Sequence, residues 1–311
     1  MNSKSVNGAS GNASRKARPV RRRSCLGCMG SFLFVTIPLL LLIFVSSLLA
    51  WVFSPPFGHG ESSARVLVVG LDEPDRRNPD GPRRADTILL CAARLNGSGA
   101  TLLSVPRDAL IDLRGLGGPW KINAAYAFGK ENLLKQVLAD SSILAADLPY
   151  HIVIDSNTVR AVVDALGGIS VDVPYDMRYN DDWGGLHIDL KAGRQILNGE
   201  QTVGYLRWRK DNYGRVGSDF LRSERQREVL IAIAQQAKTV SGALRLPAAY
   251  RAFQQHAIAC NLSFFQLLSF GWACRKIEST SVPATPAMVG GISYVYCDWD
   301  SGRELWSTVI K

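Results

Sequence analysis

The feature that most constrains this chain is a long apolar segment near its amino terminus. Of the 311 residues, those from Ser24 to Gly58 include no Asp, Glu, Lys, Arg or His, and within them Met29–Phe53 gives 25 largely apolar residues. A helix of that length, at about 1.5 Å per residue, exceeds the roughly 30 Å hydrocarbon core of a bilayer. The segment therefore predicts a transmembrane helix, with Trp51 as an interfacial anchor near its outer end.

The net charge of +9 is concentrated immediately before this segment. Residues 1–30 carry seven Lys and Arg residues and no acid, whereas the rest of the chain has 29 basic and 27 acidic residues. This distribution argues against nucleic acid binding through bulk charge. Arg21, Arg22 and Arg23 directly precede the apolar segment, which predicts a cytoplasmic amino terminus and an exported remainder.

A cleaved signal peptide is the alternative interpretation of the same segment. The apolar run is longer than the core of a usual signal peptide, and Ser54–Pro55–Pro56 is a poor cleavage site. We therefore expect a retained anchor. The predicted organisation is a disordered basic cytoplasmic tail (1–28), a transmembrane helix (29–53), a linker (54–63) and one extracytoplasmic domain (64–311).

Beyond the linker, strand and helix signals alternate, which predicts an α/β domain. Ala64–Gly70 is an apolar, β-branched run typical of a buried central strand. Thr87–Arg94 and Thr101–Val105 predict a hairpin around the turn at 96–99. The other predicted elements are strands at His151–Ile154 and Ile169–Val173, helices at Asn123–Ala139, Asn157–Leu166, Gly199–Arg209, Glu224–Lys238 and Leu262–Lys276, and a last helix capped by Ser301 and ending near Ile310.

Cysteine usage fits two compartments. Two cysteines flank the inner end of the predicted span, where palmitoylation or no modification is expected. Cys91, Cys260, Cys274 and Cys297 fall in the exported part, where disulfides persist, and four thiols allow three pairings. Cys91 lies inside an apolar run, so a buried thiol is the alternative there, with one pair among the other three.

Several common catalytic signatures are missing from the sequence. None of the four histidines lies in a His-Glu-x-x-His motif, and no Gly-x-Ser-x-Gly elbow is present. The glycine-rich run 115–118 lacks the Lys–Ser/Thr pair of a phosphate-binding loop and indicates a surface turn. These observations exclude the zinc protease, serine hydrolase and P-loop signatures.

Arginines at the ends of predicted elements are the main candidate site residues. Beyond residue 30 there are 21 Arg and only 8 Lys. A guanidinium group holds phosphate oxygens bidentately and stays charged when partly desolvated. Arg107 directly follows the predicted strand Thr101–Val105, and Arg207 and Arg209 close a predicted helix. Solvated surface charge explains most single arginines, but it explains these positions less well.

Carboxylates accompany these arginines. Asp72 ends the first predicted strand and Asp86 opens the next one, with Arg83 and Arg84 between them. Two carboxylates at neighbouring strand ends suit a hard divalent cation that holds a pyrophosphate. The alternative interpretation is structural, with Asp72 capping a turn and Asp86 paired with Arg84.

A series of motifs runs in order from the first predicted strand to the helix Glu224–Lys238. It comprises Val66–Asp72, Arg84–Thr87, Leu103–Asp108, Lys121–Tyr126, Val163–Ile169, Leu190–Gly193, Leu197–Glu200, Tyr205–Arg209 and Arg222–Gln226. In order and spacing this series resembles the LytR-CpsA-Psr family of membrane-anchored cell-wall glycopolymer transferases. The resemblance covers about Ala64–Lys238 and is loose beyond it.

The resemblance implies a three-layer α/β/α domain with a central mixed sheet and an apolar tunnel for a polyprenyl tail. It implies that the donor pyrophosphate binds at the tunnel mouth with a divalent metal, for which magnesium is the first expectation. The implied metal ligands are Asp72 and Asp86, with Asp72 also serving catalysis. The implied pyrophosphate-binding residues are Arg84, Arg107, Arg207, Arg209, Arg222 and Gln226, of which Arg84 and Arg107 also serve catalysis.

The implied tunnel leads to specific expectations for its lining and for its mouth. A polyprenyl tail left in water would cost about 0.8 kcal/mol for each methylene that is not buried. We expect the predicted helices Asn123–Ala139, Asn157–Leu166 and Glu224–Lys238 to line the tunnel. We expect its mouth to be ringed by Arg84, Arg107, Arg207 and Arg209.

The chain departs from the family pattern in three places. Pro74 replaces an arginine of the usual motif, although the nearby Arg76 and Arg77 can substitute for it. Leu221 replaces a glycine, and the segment between Arg209 and Arg222 is longer than usual. These changes bear on the donor or the acceptor and leave the reaction class as the motifs predict it.

The sequence therefore predicts an extracytoplasmic phosphotransferase in the cell membrane. It would move a glycopolymer phosphate from a polyprenyl-pyrophosphate carrier to a hydroxyl of peptidoglycan or another wall polysaccharide. Asp72 and Asp211 are the candidate general bases. Two alternatives remain open, namely a binding or regulatory protein without transfer activity and a lipid pyrophosphatase. The predicted partners are the lipid-linked donor, the wall acceptor and the membrane, and not nucleic acid.

Overall fold

The computed structural model describes residues 40–43, 57, 62–73, 78, 81–113, 117–141, 148–181, 186–208, 219–273 and 276–310. The chain divides into two compact units, Met1–Pro55 and Pro56–Lys311. In the first unit, residues 40–43 are helical and exposed. The predicted basic tail and the rest of the predicted span lie outside the described residues. Among the helices that the structure describes, none is long and apolar enough to cross a membrane.

The second unit carries the strands and helices from which the candidate site is built. The strands are β1 (Ser63–Leu71), β2 (Ala85–Arg94), β3 (Gly99–Val105), β4 (Leu110–Asp112), β5 (Pro119–Lys121), β6 (Tyr150–Ile154), β7 (Ile169–Val173), β8 (Met177–Asp181), β9 (Leu186–Leu190), β10 (Gly193–Leu197), β11 (Ala259–Cys260), β12 (Ile277–Ser281), β13 (Ala284–Val289) and β14 (Ile292–Cys297). The helices are α1 (Asn123–Asp140), α2 (Ser156–Leu166), α3 (Gly199–Arg207), α4 (Asp219–Lys238), α5 (Val240–His256), α6 (Phe264–Ala273) and α7 (Trp299–Ile310).

A six-stranded mixed sheet forms the centre of this unit, in the order β11–β6–β1–β2–β3–β12. The apolar strand β1 lies within it, antiparallel to β2 and parallel to β6. Strands β2 and β3 form the predicted hairpin, with Arg94 opposite Gly99, and β12 runs parallel to β3. The predicted α/β fold with a central mixed sheet is confirmed.

The two faces of the sheet carry different helices. Leu67 and Val69 of β1 point to a core that includes residues of α1 and α7, and we call this side the α1 face. Val66 and Val68 point to the opposite side, where buried residues of the sheet pack with side chains from α4, α5 and α6, and we call it the cavity face. Because successive side chains of a strand point to opposite faces, the sheet is apolar on both sides, and helices pack on each of them.

A second cluster of apolar residues lies beside the sheet. It joins the β7–β10 and β8–β9 ribbons to α3 and α4, with Tyr205 and Trp208 fully buried in it. Helix α3 begins with the predicted capping box, in which the Asn198 side chain accepts from the Gln201 N–H and Gln201 returns a bond to the Asn198 backbone. The capping box fixes the first residue of α3.

Most predicted elements are present with small shifts, and four predicted helices differ in extent. Helix α4 begins at Asp219, five residues before the predicted Glu224. Helix α3 ends at Arg207, not Arg209, because Trp208 adopts an extended conformation. Helix α6 spans Phe264–Ala273 and is shorter than predicted. Helix α7 begins before Ser301, because Asp298 accepts hydrogen bonds from the Ser301 N–H and hydroxyl group.

The described cysteines of the second unit are divided between the two faces of the sheet. Cys91 is buried in β2 on the cavity face, as an apolar strand position requires. Cys260 packs against the same cluster, whereas Cys297 packs against the core of the α1 face. The sheet separates Cys260 from Cys297, and both are free thiols. Cys274 lies outside the described residues, so the predicted pairing stays a prediction.

Candidate functional site

A cavity of about 970 Å³ lies on the cavity face of the sheet, at the carboxyl end of β1. Strands β1, β2 and β6 form its floor, and residues of α2, α3, α4 and the β8–β9 hairpin enclose it. Its apolar wall includes Val68, Leu89, Val229, Leu230 and Ile233. Its polar lining consists of Asp72, Glu73, Asp86, Thr87, Arg107, Asp155, Ser156, Tyr179, Asp181, Arg207, Arg225 and Gln226.

A β-bulge positions one of the two predicted metal ligands. Gly70 pairs with Thr87, but the next residue of β1, Leu71, pairs with Ala85, so Asp86 is the extra residue. In a regular strand Asp86 and Thr87 would point to opposite faces. The bulge interrupts this alternation, and both side chains line the cavity.

Asp72 lies opposite this bulge at the end of β1. Its Oδ1 accepts the Arg84 backbone N–H at 2.9 Å, and its backbone carbonyl accepts Nε of Arg83 at 2.9 Å. Partial burial raises the pKa of Asp72, the hydrogen bond from Arg84 lowers it, and the charge on Asp86 raises it further. Asp72 and Asp86 both line the cavity, so each charge acts on the other.

Two arginines that line the cavity, and a third that pairs with a carboxylate of its lining, are each held by an acid. Nη1 of Arg107 lies 2.9 Å from Oδ1 of Asp86, and Nη1 of Arg207 lies 2.6 Å from Oε1 of Glu73. Nη1 of Arg83 lies 3.1 Å from Oδ2 of Asp155. The cations are thereby oriented at the cavity rim, and an anionic ligand would compete with these carboxylates for them.

Gln226 connects α4 to the strand that carries Asp86. Its Nε2 donates to Oγ1 of Thr87 at 2.8 Å. Gly70 faces the same threonine, and a Cβ built there would lie 3.0 Å from Cβ of Thr87. A side chain at position 70 would therefore push against the Thr87–Gln226 contact.

Arg225 lines the cavity but is not among the predicted site residues. It is 4% exposed, and its Nη2 donates to the Trp208 carbonyl at 2.7 Å. Its guanidinium carbon lies 5.4 Å from the centre of the Trp208 ring. Its Nε and Nη1 have no partner within the described structure. The only signal in the sequence was its place inside the motif Arg222–Gln226.

The structure brings together five of the eight predicted site residues. Those that line the cavity are Asp72, Asp86, Arg107, Arg207 and Gln226. Arg84 is exposed and does not line the cavity. Arg83 does not line it either, and its side chain binds the Asp72 carbonyl and the Asp155 carboxylate. Arg209 lies outside the described residues, and Arg222 lies in α4 with a side chain that is not described. The predicted ring of four arginines is therefore represented by Arg107 and Arg207.

One helix predicted to line the cavity does not do so. Helix α1 packs on the α1 face, where Tyr126, Leu134 and Leu138 contribute to the core. The cavity lies on the other side of the sheet, so α1 cannot reach it. The wall is completed instead by the β8–β9 hairpin, through Tyr179, Asp181 and Leu186.

The residues at the cavity fit a metal site built from two carboxylates. Within the described ranges, no group of three or more His, Cys, Asp or Glu side chains could hold a metal ion by itself. Magnesium commonly binds through one or two carboxylates together with waters and substrate phosphates. Asp72 and Asp86 supply such a pair at the rim of a cavity that also presents arginines.

Comparison with known proteins identifies relatives over most of the chain. The model of the LytR_cpsA_psr family matches residues 50–311. The polyisoprenyl-teichoic acid–peptidoglycan teichoic acid transferase TagU of Bacillus subtilis is 27% identical over 238 residues, which are 75% of this chain and 72% of TagU. The regulatory protein MsrR of Staphylococcus aureus is 30% identical over 224 residues, which are 70% of this chain and 64% of MsrR.

A solved structure supports the fold. The crystal structure of TagV from Bacillus subtilis superposes with a TM-score of 0.65 at 23% sequence identity. The match covers 80% of this chain and 98% of the TagV chain. At this identity the similarity shows a shared fold, and function rests on the site itself.

Proposed function

Because the chain belongs to the LytR-CpsA-Psr family, we propose that it is a transferase that attaches a glycopolymer to the bacterial cell wall. TagU is named as a transferase of teichoic acid from a polyisoprenyl carrier to peptidoglycan, and it aligns with three quarters of this chain. We propose the same class of donor and acceptor here, with the glycopolymer and the acceptor sugar left open.

The observation that carries the proposal is the composition of the cavity. One part of its lining is apolar, and its rim holds arginines and carboxylates. A polyprenyl-pyrophosphate glycan has the same division, with an apolar tail and a dianionic head. Arginine forks are suited to the phosphate oxygens, and an apolar wall is suited to the tail. A cavity of about 970 Å³ has room for part of such a tail.

The proposed reaction is a phosphotransfer. The hydroxyl oxygen of the acceptor forms a bond to the phosphorus that carries the glycan. The bond between that phosphorus and the bridging oxygen breaks, and polyprenyl phosphate leaves with the bridging oxygen. The hydroxyl proton passes to a base. Asp72 is a candidate because its carboxylate lies at the cavity rim, and the other candidate, Asp211, lies outside the described residues.

Arg107 and Arg207 are the described residues best placed to stabilise the transferred and leaving phosphates. The family motifs add Arg84, Arg209 and Arg222 to this set. Removing one oriented donor of developing negative charge costs about 2–4 kcal/mol of transition-state stabilisation. Asp72 and Asp86 would hold the divalent cation, proposed to be magnesium, which supplies charge neutralisation at the phosphates.

We also propose that the protein resides in the cell membrane with its catalytic domain outside. The support is the apolar segment Met29–Phe53 behind an arginine cluster. A lipid-linked donor and a wall acceptor are both reached from that side of the membrane. The catalytic domain and its lipid-linked donor would then lie on the same side of the membrane.

The proposal is tested by following both products of one reaction. The full chain is reconstituted in liposomes with a polyprenyl-pyrophosphate glycan and peptidoglycan. Transfer releases polyprenyl phosphate and leaves glycan on the peptidoglycan. Glycan released into solution instead would indicate a pyrophosphatase. Binding without release would indicate a regulatory protein, the class that the name of MsrR suggests.

A matched pair of variants locates the reaction in the cavity. Arg207→Ala removes a cavity arginine that is paired with Glu73. Arg178→Ala removes an arginine that is paired with Asp189 on the β8–β9 hairpin and does not line the cavity. We expect Arg207→Ala to slow transfer by about 100-fold or more and Arg178→Ala to leave it near the wild-type rate. Equal rates in the two variants would place the reaction elsewhere.

A further inference from the structure

Helix α6 presents an apolar surface outside the candidate site. Its ten residues, Phe264–Ala273, include three Phe, two Leu and one Trp and no charged residue. Leu267, Phe270 and Ala273 pack against the core of the cavity face. Phe265 and Trp272 are 53% and 58% exposed. They are seven residues apart, so they lie on one face of the helix, two turns from each other.

The place where the chain enters the domain lies beside this helix. The Phe57 side chain is buried in the same core cluster as Leu262 and Ala273. Its ring packs edge-on against Tyr150, with ring centres 5.2 Å apart. The Tyr150 hydroxyl accepts a hydrogen bond from Nε2 of Gln266, in the first turn of α6. One chain of contacts thus links Phe57 to α6.

Only four residue steps separate Phe57 from Phe53, the last residue of the apolar segment. A fully extended chain of that length spans at most about 14 Å. With the apolar segment in a bilayer, as proposed above, its outer end lies at the membrane–water interface, and Phe57 lies within about 14 Å of Phe53. The domain surface around Phe57 is thereby tethered close to the outer surface of the bilayer.

We infer that the exposed face of α6, formed by Phe265 and Trp272, docks on the outer surface of the lipid bilayer. An exposed patch of apolar aromatic side chains marks a contact with a protein or a membrane, and Trp is enriched at the membrane–water interface. The inference rests on the proposed membrane anchor and not on the proposed transfer reaction. The cavity lies on the same face of the sheet as α6, so docking would place its apolar wall on the side from which a lipid donor arrives.

Site-specific photo-cross-linking of the full chain in liposomes tests this surface. The photoreactive amino acid p-benzoylphenylalanine replaces Phe265 in one variant and Phe128 in the control. Phe128 lies on α1, on the other side of the sheet, and is 50% exposed, so the two positions match in residue type and exposure. We expect about fivefold or more lipid cross-linking at position 265 relative to position 128.

A third position distinguishes a failure of the proposed anchor from a failure of the proposed docking. The same amino acid at Leu42, inside the apolar segment, should cross-link to lipid whenever that segment lies in the bilayer. Lipid cross-links at Leu42 with equal yields at 265 and 128 would overturn docking while leaving the anchor intact. No lipid cross-link at Leu42 would overturn both. Cross-links from position 265 to a second protein chain would assign the face to a protein partner and also overturn the inference.

A second measurement does not depend on the photoreactive variants. Lipids brominated near the headgroup quench tryptophan fluorescence at short range. We expect Trp272→Phe to lose a quenchable component that the wild type shows, and Trp120→Phe to retain it, because Trp120 packs against the core of the α1 face. An unchanged quenchable fraction in Trp272→Phe would contradict the docking surface.

Discussion

Nη1 of Arg107 lies 2.9 Å from Oδ1 of Asp86, so a residue predicted to bind phosphate is paired with one predicted to bind metal. The two side chains are 23% and 31% exposed, and they join the end of β3 to the bulge in β2. An exposed pair of this kind contributes about 0.2–1 kcal/mol. The pair therefore orients both side chains, and a phosphate or a cation can replace either partner at a small cost in free energy.

This pairing predicts that phosphate and cation binding are coupled. Asp86→Asn removes one of the two carboxylates that pair with Arg107, the other being Asp108, so in EDTA the variant should bind a polyprenyl pyrophosphate about two- to fivefold more tightly than the wild type. Magnesium should tighten binding by the wild type and have little effect on the variant. Titration calorimetry with and without magnesium measures both effects. Equal magnesium dependence in the two proteins would remove Asp86 from the metal site.

Arg107→Lys tests the need for a guanidinium fork. An ammonium group keeps the charge but cannot make a bidentate phosphate contact, so we expect transfer to fall by about 100-fold. The melting temperature should change little, because the Asp86 pair is partly exposed. The matched control is Arg178→Lys, which alters an ion pair outside the cavity. Near-normal turnover in a stably folded Arg107→Lys protein would exclude Arg107 from the reaction.

The sheet and most of its helices were predictable because their signals are local. Val66–Val69 is continuously apolar, and Asn198 with Gln201 forms a capping box that marks the start of α3. Helix α5 escaped prediction because it contains Pro247, which usually marks a helix end. The β8–β9 hairpin escaped because its strands are short and carry charged residues on their exposed sides.

The site was predictable to the extent that its residues follow strand ends. Asp72, Asp86 and Arg107 converge for that reason, since the ends of neighbouring strands meet at one edge. Which of two adjacent arginines is the more buried depends on the register of the bulge, and the structure buries Arg83 more than Arg84, the residue that the motif indicated. The side of the sheet on which α1 packs is likewise a property of chain topology and not of its sequence pattern.

His151 gives a pH-dependent prediction for stability. Burial lowers its pKa from the usual 6.5, as does the charge of Lys135, whose Nζ lies 3.4 Å from Nδ1. The unfolded chain then takes up a proton at a higher pH than the folded chain. The contribution of His151 to stability is full above pH 6.5 and is lost as the pH falls toward the folded pKa.

His151→Asn should therefore lose less stability than the wild type between pH 7.5 and pH 5, chosen to span the usual pKa of about 6.5. Denaturant unfolding at each pH measures the difference. The exposed His256, at the end of α5, provides the control variant His256→Asn, whose profile should follow that of the wild type. Parallel profiles for His151→Asn and the wild type would show that protonation of His151 does not affect folding.

The predicted anchor has a direct chemical test. Met29–Phe53 is longer than a usual signal-peptide core and is followed by Ser54–Pro55–Pro56, so we expect it to remain in the mature protein. Amino-terminal sequencing of the protein from membrane fractions should find a start before this segment. A mature amino terminus beyond Phe57 would show that the apolar segment is a cleaved signal peptide and not an anchor.

The proposed lipid tail can be tested by narrowing the apolar part of the cavity. Ile233 lines it from α4, away from the arginines. In Ile233→Trp the larger ring takes space from about two methylene groups of a bound tail, which corresponds to about 1.6 kcal/mol or roughly tenfold in affinity. A donor with a short prenyl tail does not reach that space, so its affinity should stay near the wild-type value. Ile196→Trp is the control, because Ile196 is 72% exposed on β10 and does not line the cavity.

Mass spectrometry of lipid extracted from the purified full chain should find a polyprenyl species that is reduced in Ile233→Trp and retained in Ile196→Trp. Equal losses for long-tailed and short-tailed donors would mean that the introduced indole ring perturbs the polar rim, and no loss for either would place the tail outside this cavity.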